Sequence, residues 1–330
     1  MSADLLTRDN PRLSRPTMAV VSAPLAGAIN CKPPLLERVA YYVRDSVAEN
    51  TRRAYASDLA HFEAWGGRIP ASAEMIAAYL AAHAEMLCVA TLGRRIASLS
   101  KAHEAMGEQN PTHSALVKAT LQGIRRNRGS AQREAKPLLR DELFLALDAM
   151  GDTLKDSRDR ALLLIGFAGG FRRSELVGID RSDIEPVRQG MIVHLRRSKT
   201  DQTGAGRKVG IPNGRTRYCP VAALESWLTR SGIGDGPVFR PIDRHGRMCG
   251  DRLSGEAVSL VVKERLAAAG IDPTGYSGHS LRAGLATSAA QAGVSSWKIR
   301  QQTGHASDAM LARYIRDGEL FVHNAAGALL

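Results

Sequence analysis

Apolar residues recur at helical spacing along most of the 330-residue chain, and the stripes they form predict its elements. From Leu35 onward, Leu36, Val39, Ala40 and Val43 share one face. Asn50 and Thr51 offer an N-cap to a second helix whose stripe is Tyr55, Leu59, Phe62 and Trp65. Ser72 caps a third, running to about Met86 through Met75, Ile76, Tyr79 and Leu80. Thr91 caps a fourth, with Leu92, Ile96, Leu99, His103 and Met106 on its stripe. A fifth runs from about Thr112 to Arg126. Stripes of this kind are core rather than binding surface, so this part of the chain is expected to be an all-helical domain. The opposite face of the fourth helix carries Arg94, Arg95, Ser98 and Lys101, which is either a solvated face or one that lies in a DNA groove.

Flanking this block the pattern fades. Residues 1–33 are rich in Ala, Pro, Ser and Arg without any period and are expected to be flexible. Within them Met18 to Ala28 is mildly apolar, but Pro24 interrupts it and a polar lead precedes it, which argues against a signal peptide. The basic stretch 127–137 reads as a linker. Beyond Pro137 helical stripes resume: Asp141 to about Met150, Asp156 to Ala168 with its buried run Leu162 to Ile165, then a break at Gly169 and Gly170 with Arg172 opening the next helix. Met191 to Arg197 alternates as a strand, Thr200 to Gly206 is a turn-rich loop and Arg207 to Ile211 a returning strand. Pro220 to Ser231, Ser254 to Ala269, His279 to Ala292 and Ser295 to Thr303 complete a mostly helical second domain, 138–330, after a first domain over 34–126.

Composition narrows the partner. Hydrophobic residues make up 44%, enough for a core in each domain, and no run approaches the length of a membrane span. Lys and Arg total 45 against 33 acidic residues, a formal +12, the electrostatic footprint of a polyanion partner. The excess is clustered: from Lys118 to Arg140 there are seven basic residues and one acid, Glu134. The cysteines Cys31, Cys88, Cys219 and Cys249 are scattered, so neither a disulfide framework nor a zinc site is indicated, and a cytoplasmic setting fits.

Chemistry concentrates near the C-terminal end. His279 and Arg282 are three apart, on one face of a helix whose N-terminus follows Gly278, where backbone N–H groups already favour an anion. His305 follows Gly304 in a second Gly-His pair, and nine residues later comes Tyr314, flanked by Arg313 and Arg316. A tyrosine among phosphate-binding groups is a candidate nucleophile. The run G-H-S-L-R-A-G, a second G-H, and a tyrosine nine residues on resemble the tyrosine recombinases, the lambda-integrase family. Upstream, G-G-F-R-R-S-E-L (Gly169 to Leu176) resembles the family's first-arginine box, and M-I-V-H-L-R-R-S-K-T (Met191 to Thr200) its lysine-bearing hairpin.

The resemblance spans about half the chain in the family's order, and it implies both fold and mechanism. The fold is mainly α with two domains, a helical core-binding, SAM-like domain and an α+β catalytic domain with a small β-hairpin sheet and a C-terminal tail helix. The activity implied is metal-independent cleavage and rejoining of DNA through a 3′-phosphotyrosine, with no cofactor. Arg172 and Arg282 would clamp the scissile phosphate, since a guanidinium grips it bidentately and stays charged. His279 would take the phenolic proton or donate to phosphate, His305 would add a donor, Lys199 would protonate the leaving oxygen and Tyr314 would attack. Glu175 would buttress the pocket. Arg94, Arg95, Lys101, Arg125, Arg126 and Arg128 are the expected DNA contacts. The partner implied is double-stranded DNA carrying an inverted-repeat site, bound by a homotetramer assembled from protomers that are monomeric in solution. Two other readings stay open: a type IB topoisomerase that nicks and reseals, and a non-catalytic DNA-binding regulator.

Overall fold

The computed structural model describes residues 38, 41–42, 46–129, 135–196, 206–250 and 252–319. The segment 1–33, the helical stripe after Leu35, most of the linker, Lys199 and the tail past residue 319 lie outside them. The chain divides into two compact units that part between Arg133 and Glu134.

The first unit holds α1 (Glu49–Ala64), α2 (Ala73–His83), α3 (Val89–Met106), a single 3-10 turn (Pro111–His113) and α4 (Ala115–Arg128). Its core is Phe62, Ile76, Tyr79, Leu80, Leu92 and Leu99, drawn from the predicted stripes, joined by Val117 and Ile124 of α4. Ser72 caps α2 by accepting from the Met75 N–H at 3.2 Å. Two other predicted caps are displaced. α1 starts at Glu49, because the N–H groups of Thr51 and Arg52 already bond the Ala48 carbonyl, so Asn50 and Thr51 lie within the helix. α3 starts at Val89 after Cys88, leaving Thr91 inside its first turn. His103 is a satisfied core histidine: Nδ1 donates to the Leu99 carbonyl at 2.8 Å and Nε2 accepts from the Ala71 N–H at 2.9 Å.

The basic face expected on α3 is divided between surface and interior. Arg94 and Lys101 are exposed, but Arg95 and Ser98 are buried against α1 and α2. Buried Asp58 accepts from Arg94 Nη1 and Ser98 Oγ, each at 2.8 Å, and lies 3.7 Å from Arg95 Nε. Arg95 Nη1 donates to Tyr79 Oη at 2.6 Å and to His61 Nδ1 at 2.7 Å. Arg95 is therefore an interior strut rather than a free surface cation, since a buried guanidinium is tolerated only with this many acceptors. Among these groups burial, then Arg95, hold His61 below the usual histidine range.

The second unit contains α5 (Arg140–Asp148), α6 (Leu154–Gly169), α7 (Arg173–Gly178), β1 (Ile184–Val187), β2 (Gly190–Leu195), β3 (Arg207–Pro212), α8 (Pro220–Ser231), α9 (Gly255–Ala268), α10 (Ser280–Gln291), α11 (Ser296–Thr303) and α12 (Asp308–Glu319). The architecture is mainly helical beside one small antiparallel sheet of order β1-β2-β3, with Met191 opposite Ile211 and Ile184 opposite Val193. The hairpin was legible in the alternation of Met191 to Leu195; β1 was not, because Pro186 disqualifies the run as a central strand and it survives only at the edge. α6 is buried along most of its length, and Trp227 of α8 fills the core while donating Nε1–H to the Val238 carbonyl at 2.8 Å. Among the described residues no helix is long and apolar enough to cross a membrane.

Removing the buried carboxylate of the first unit should be costly. Asp58→Ala leaves Arg95 desolvated without its counter-charge, and we expect a loss of about 3 kcal/mol in urea unfolding. A loss below about 1 kcal/mol would mean that Tyr79 and His61 suffice to hold Arg95.

Candidate active site

Two helices of the second unit end alike and deliver the site. α6 closes on Gly170 with φ 57° and α11 on Gly304 with φ 67°, both left-handed, a conformation that glycine adopts without a Cβ penalty. There is also no room for more: a Cβ at Gly304 would lie 2.8 Å from the Arg207 guanidinium carbon. Past Gly170 the chain turns so that Arg172 becomes the N-cap of α7, with its N–H donating to Glu175 at 3.0 Å. Past Gly304 comes His305, and α12 then carries Tyr314 back over α10.

The end of α11 gathers three guanidinium groups. The last carbonyls of a helix have no partner within it and carry the negative end of its dipole. Arg207 takes the Gln302 carbonyl at 2.9 Å and the Thr303 carbonyl at 3.3 Å. Arg282, fully buried on α10, donates to the Thr303 carbonyl and to the Gly170 carbonyl, the latter at 2.8 Å. Arg172 donates to the Gly304 carbonyl at 3.2 Å and pairs with Glu175 at 2.5 Å. Glu175 also lies 3.4 Å from Arg207. Among these groups three cations meet one carboxylate, so the pocket is net positive. Burial, followed by the charge of Arg172, pushes Arg282 down to about 10.

Tyr314 stands at the rim of this cluster. Its Oη lies 3.2 Å from His279 Nε2, and its ring lies 5.6 Å from that of His305, centroid to centroid. Desolvation, then Arg282 and Arg172, hold His279 below the usual histidine range. The same causes push buried His305 down to about 3, so it is neutral at physiological pH. His305 Nδ1 is 2.7 Å from Thr303 Oγ1, which is in turn 2.7 Å from the Ile299 carbonyl. A neutral imidazole beside a phenol, backed by fixed guanidinium groups, is equipped to accept a proton while an anion is held.

Of the residues expected from sequence, Arg172, Glu175, His279, Arg282, His305 and Tyr314 come together here, whereas Lys199 lies outside the described residues. Tyr276, the other tyrosine in this region, is buried and its Oη donates to Glu142 at 2.7 Å. The basic side chains of Arg125, Arg126 and Arg128 are exposed on the last turn of α4, and Arg128 donates to the Ala84 carbonyl. Lys101 pairs with Glu104 at 2.6 Å on the surface of α3. Two residues of the cluster were missed, Arg207 and Thr303. A lone arginine opening a strand carries no spacing signal, since its partners at the end of α11 lie 95 and 96 residues on, and a threonine ending a helix looks like any other polar terminus.

Buried Arg282 and half-buried Arg172 side by side, with a phenol held by a neutral histidine, define a site for phosphoryl transfer. Residues 137–319 match the Phage integrase family. The chain is 40% identical over 290 residues to the integrase/recombinase xerD homolog of Selenomonas ruminantium, covering 85% of each chain. It is 28% identical over 299 residues to the recombinase cre of Escherichia phage P1, covering 83% of this chain and 86% of that one. In structure it resembles the XerH site-specific recombinase bound to palindromic difH substrate, with a TM-score of 0.63 at 19% identity over 91% of this chain and 85% of that one. The chain belongs to the phage integrase family, the tyrosine recombinases. It is an enzyme of DNA strand transfer.

The low proton affinity of His305 makes stability fall with acid. The unfolded residue takes up a proton below about pH 6.5 while the folded one does not, so the loss grows as pH drops below that value. Between pH 7 and pH 5 this histidine should cost about 2 kcal/mol, read from urea midpoints in a buffer free of phosphate and sulfate. His305→Gln should flatten the profile by that amount, and an unchanged slope would contradict the assignment.

Proposed function

We propose that the protein is a site-specific recombinase that cuts one DNA strand per protomer through Tyr314 and passes the 3′-phosphate to another strand. The observation that carries this is the 3.2 Å approach of His279 Nε2 to Tyr314 Oη beside the guanidinium cluster. Arg172 and Arg282 hold the non-bridging oxygens of the scissile phosphate, replacing water with fixed charges where negative charge builds. His279, neutral in this setting, takes the phenolic proton as Tyr314 Oη bonds to phosphorus. The bond to the 5′-oxygen breaks and that oxygen is protonated by Lys199, the role the resemblance assigns to it. The product is a 3′-phosphotyrosine and a free 5′-hydroxyl. Attack by the 5′-hydroxyl of a second strand reverses every step, restores the phenol and joins the new pair. Bond energy is conserved, so no nucleotide cofactor is required.

Exchange between two duplexes cuts four strands. With one nucleophile per chain this calls for four protomers, and an inverted-repeat site would seat them in symmetric pairs. The exposed basic residues Arg94, Lys101, Arg125, Arg126 and Arg128 are the DNA-facing set we propose for the first unit; Arg95, committed to Tyr79 and His61, is not part of it. The likeness to named recombinases favours exchange over a topoisomerase or a regulator without catalysis.

A nicked half-site that traps the covalent adduct tests the chemistry. Tyr314→Phe should bind this DNA as wild type does and form no adduct. Lys199→Ala should bind and cleave more slowly by about 10² to 10⁴, with the loss recovered when the leaving 5′-oxygen is replaced by sulfur, which needs no proton. An adduct formed by Tyr314→Phe would assign the nucleophile elsewhere, and a plasmid assay yielding relaxed circles without recombinants would favour the topoisomerase.

A further inference from the structure

Strand β3 and the end of α11 are joined by two side chains that reach across in opposite directions. From the strand, Arg207 takes the Gln302 carbonyl at 2.9 Å and the Thr303 carbonyl at 3.3 Å. From the helix, the Gln302 side chain reaches back, its Nε2 donating to the Gly210 carbonyl of β3 at 3.0 Å and to the Ala168 carbonyl of α6 at 2.9 Å. The amide must face this way, because its oxygen has nothing to give to two carbonyls. Both carbonyls need a donor. Ala168 lies in the last turn of α6, and the backbone N–H groups that follow it go elsewhere: Gly170 bonds Phe167, Phe171 bonds Gly166 and Arg172 bonds Glu175. Gly210 lies on an edge strand of the sheet. The Asn213 N–H bonds the Gln189 carbonyl, which sets the phase of the antiparallel ladder: Met191 with Ile211 and Val193 with Val209 are its hydrogen-bonded pairs. Gly210, opposite Ile192, falls between them, so its carbonyl points off the free edge, where Gln302 meets it.

We infer that Gln302 is a positioning residue for the acid that protonates the leaving oxygen: with Arg207 it forms a clasp that fixes β3, and with it the base of the hairpin that carries Lys199, against the ends of α6 and α11. The tie to Lys199 is one of chain order, since that residue comes four positions after Leu195 at the end of β2 and eight before Arg207 at the start of β3. Apolar packing does not set this position alone. Met191, Val193, Val209 and Ile211 bury one face of the sheet, but such contacts have no direction, so they resist withdrawal from the core better than sliding across it. Hydrogen bonds of fixed length and angle supply the missing direction. The partners taken matter as much as their number. Ala168 comes four residues before Arg172, and Thr303 comes two before His305. Two side chains thus tie together three segments that each lead to a group of the site, and the clasp does this without touching the reacting atoms.

The inference rests on the proposed role of Lys199 as proton donor, and the choice of substrate separates the two. A sulfur at the leaving 5′ position departs without a proton, so the sulfur-linked nicked half-site reports the nucleophile and the guanidinium groups, while the oxygen linkage reports the acid as well. Gln302→Met keeps the length of the side chain and removes both donors. It should slow single-turnover cleavage of the oxygen linkage by about tenfold or more and leave the sulfur linkage within about twofold of wild type. In a Lys199→Ala background the same change should add no further loss on oxygen, because a residue that acts through Lys199 has nothing to position once the amine is gone. Equal slowing on the two linkages would overturn the inference, as would a wild-type rate on oxygen or losses that multiply in the double variant. Gln302→Asn, which keeps the donors but draws them back by one methylene, gives the same comparison if the methionine variant does not fold. A Lys199→Ala protein that sulfur does not recover would instead strike the proposed role of Lys199, and the inference with it, whatever Gln302→Met does.

Discussion

The second unit is built around a group of like charges that would repel one another if the end of a helix did not hold them. Arg172, Arg207 and Arg282 converge on the carbonyls of Gln302, Thr303 and Gly304, which the geometry of α11 leaves without partners. Each side solves the other's problem: the carbonyls need donors, and a guanidinium has five. The balance is incomplete, because one carboxylate, Glu175, faces the three cations and Arg282 is held down to about 10 by burial and by Arg172. Such a pocket is prepared for an anion before the anion arrives, which is the condition for electrostatic stabilisation without reorganisation.

The same field sets the state of the other groups. Burial and the positive pocket disfavour a charged imidazole, so His279 and His305 are kept neutral. Both left-handed glycines serve this arrangement, one by bending the chain toward Arg172 and the other by letting Arg207 lie flat against the turn that leads to His305. In the first unit the opposite strategy is seen on a smaller scale, where Asp58 is buried and arginines are brought to it.

Much of this was legible from residue spacing. The stripes of α1 to α3 supplied most of the core of the first unit because burying an apolar face is the main thing a short helix gains from its fold. The site was legible for a different reason: His279 and Arg282 on one helix, the Gly304–His305 pair and Tyr314 form a local pattern within forty residues. Three kinds of feature were not. Helix starts moved by a few residues where backbone groups found partners earlier than the best capping side chain, as at Ala48 and Cys88. The placement of Arg95 on an outer face was a misreading, because arginine at helical spacing looks the same whether it meets water or a buried Asp58, a partner in another helix. Arg207 and Thr303 were invisible because what they do depends on contacts that only the folded chain creates.

The central claim is that the clustered guanidinium groups exist to neutralise one phosphate, and it can be tested by removing the charge from the substrate instead of the enzyme. A nicked half-site carrying a neutral methylphosphonate at the scissile position should be cleaved by Arg172→Ala at close to the wild-type rate, although the same variant is defective on ordinary DNA. If Arg172→Ala remains equally defective on the neutral linkage, the arginine is needed for something other than charge, and the account of the pocket given above fails.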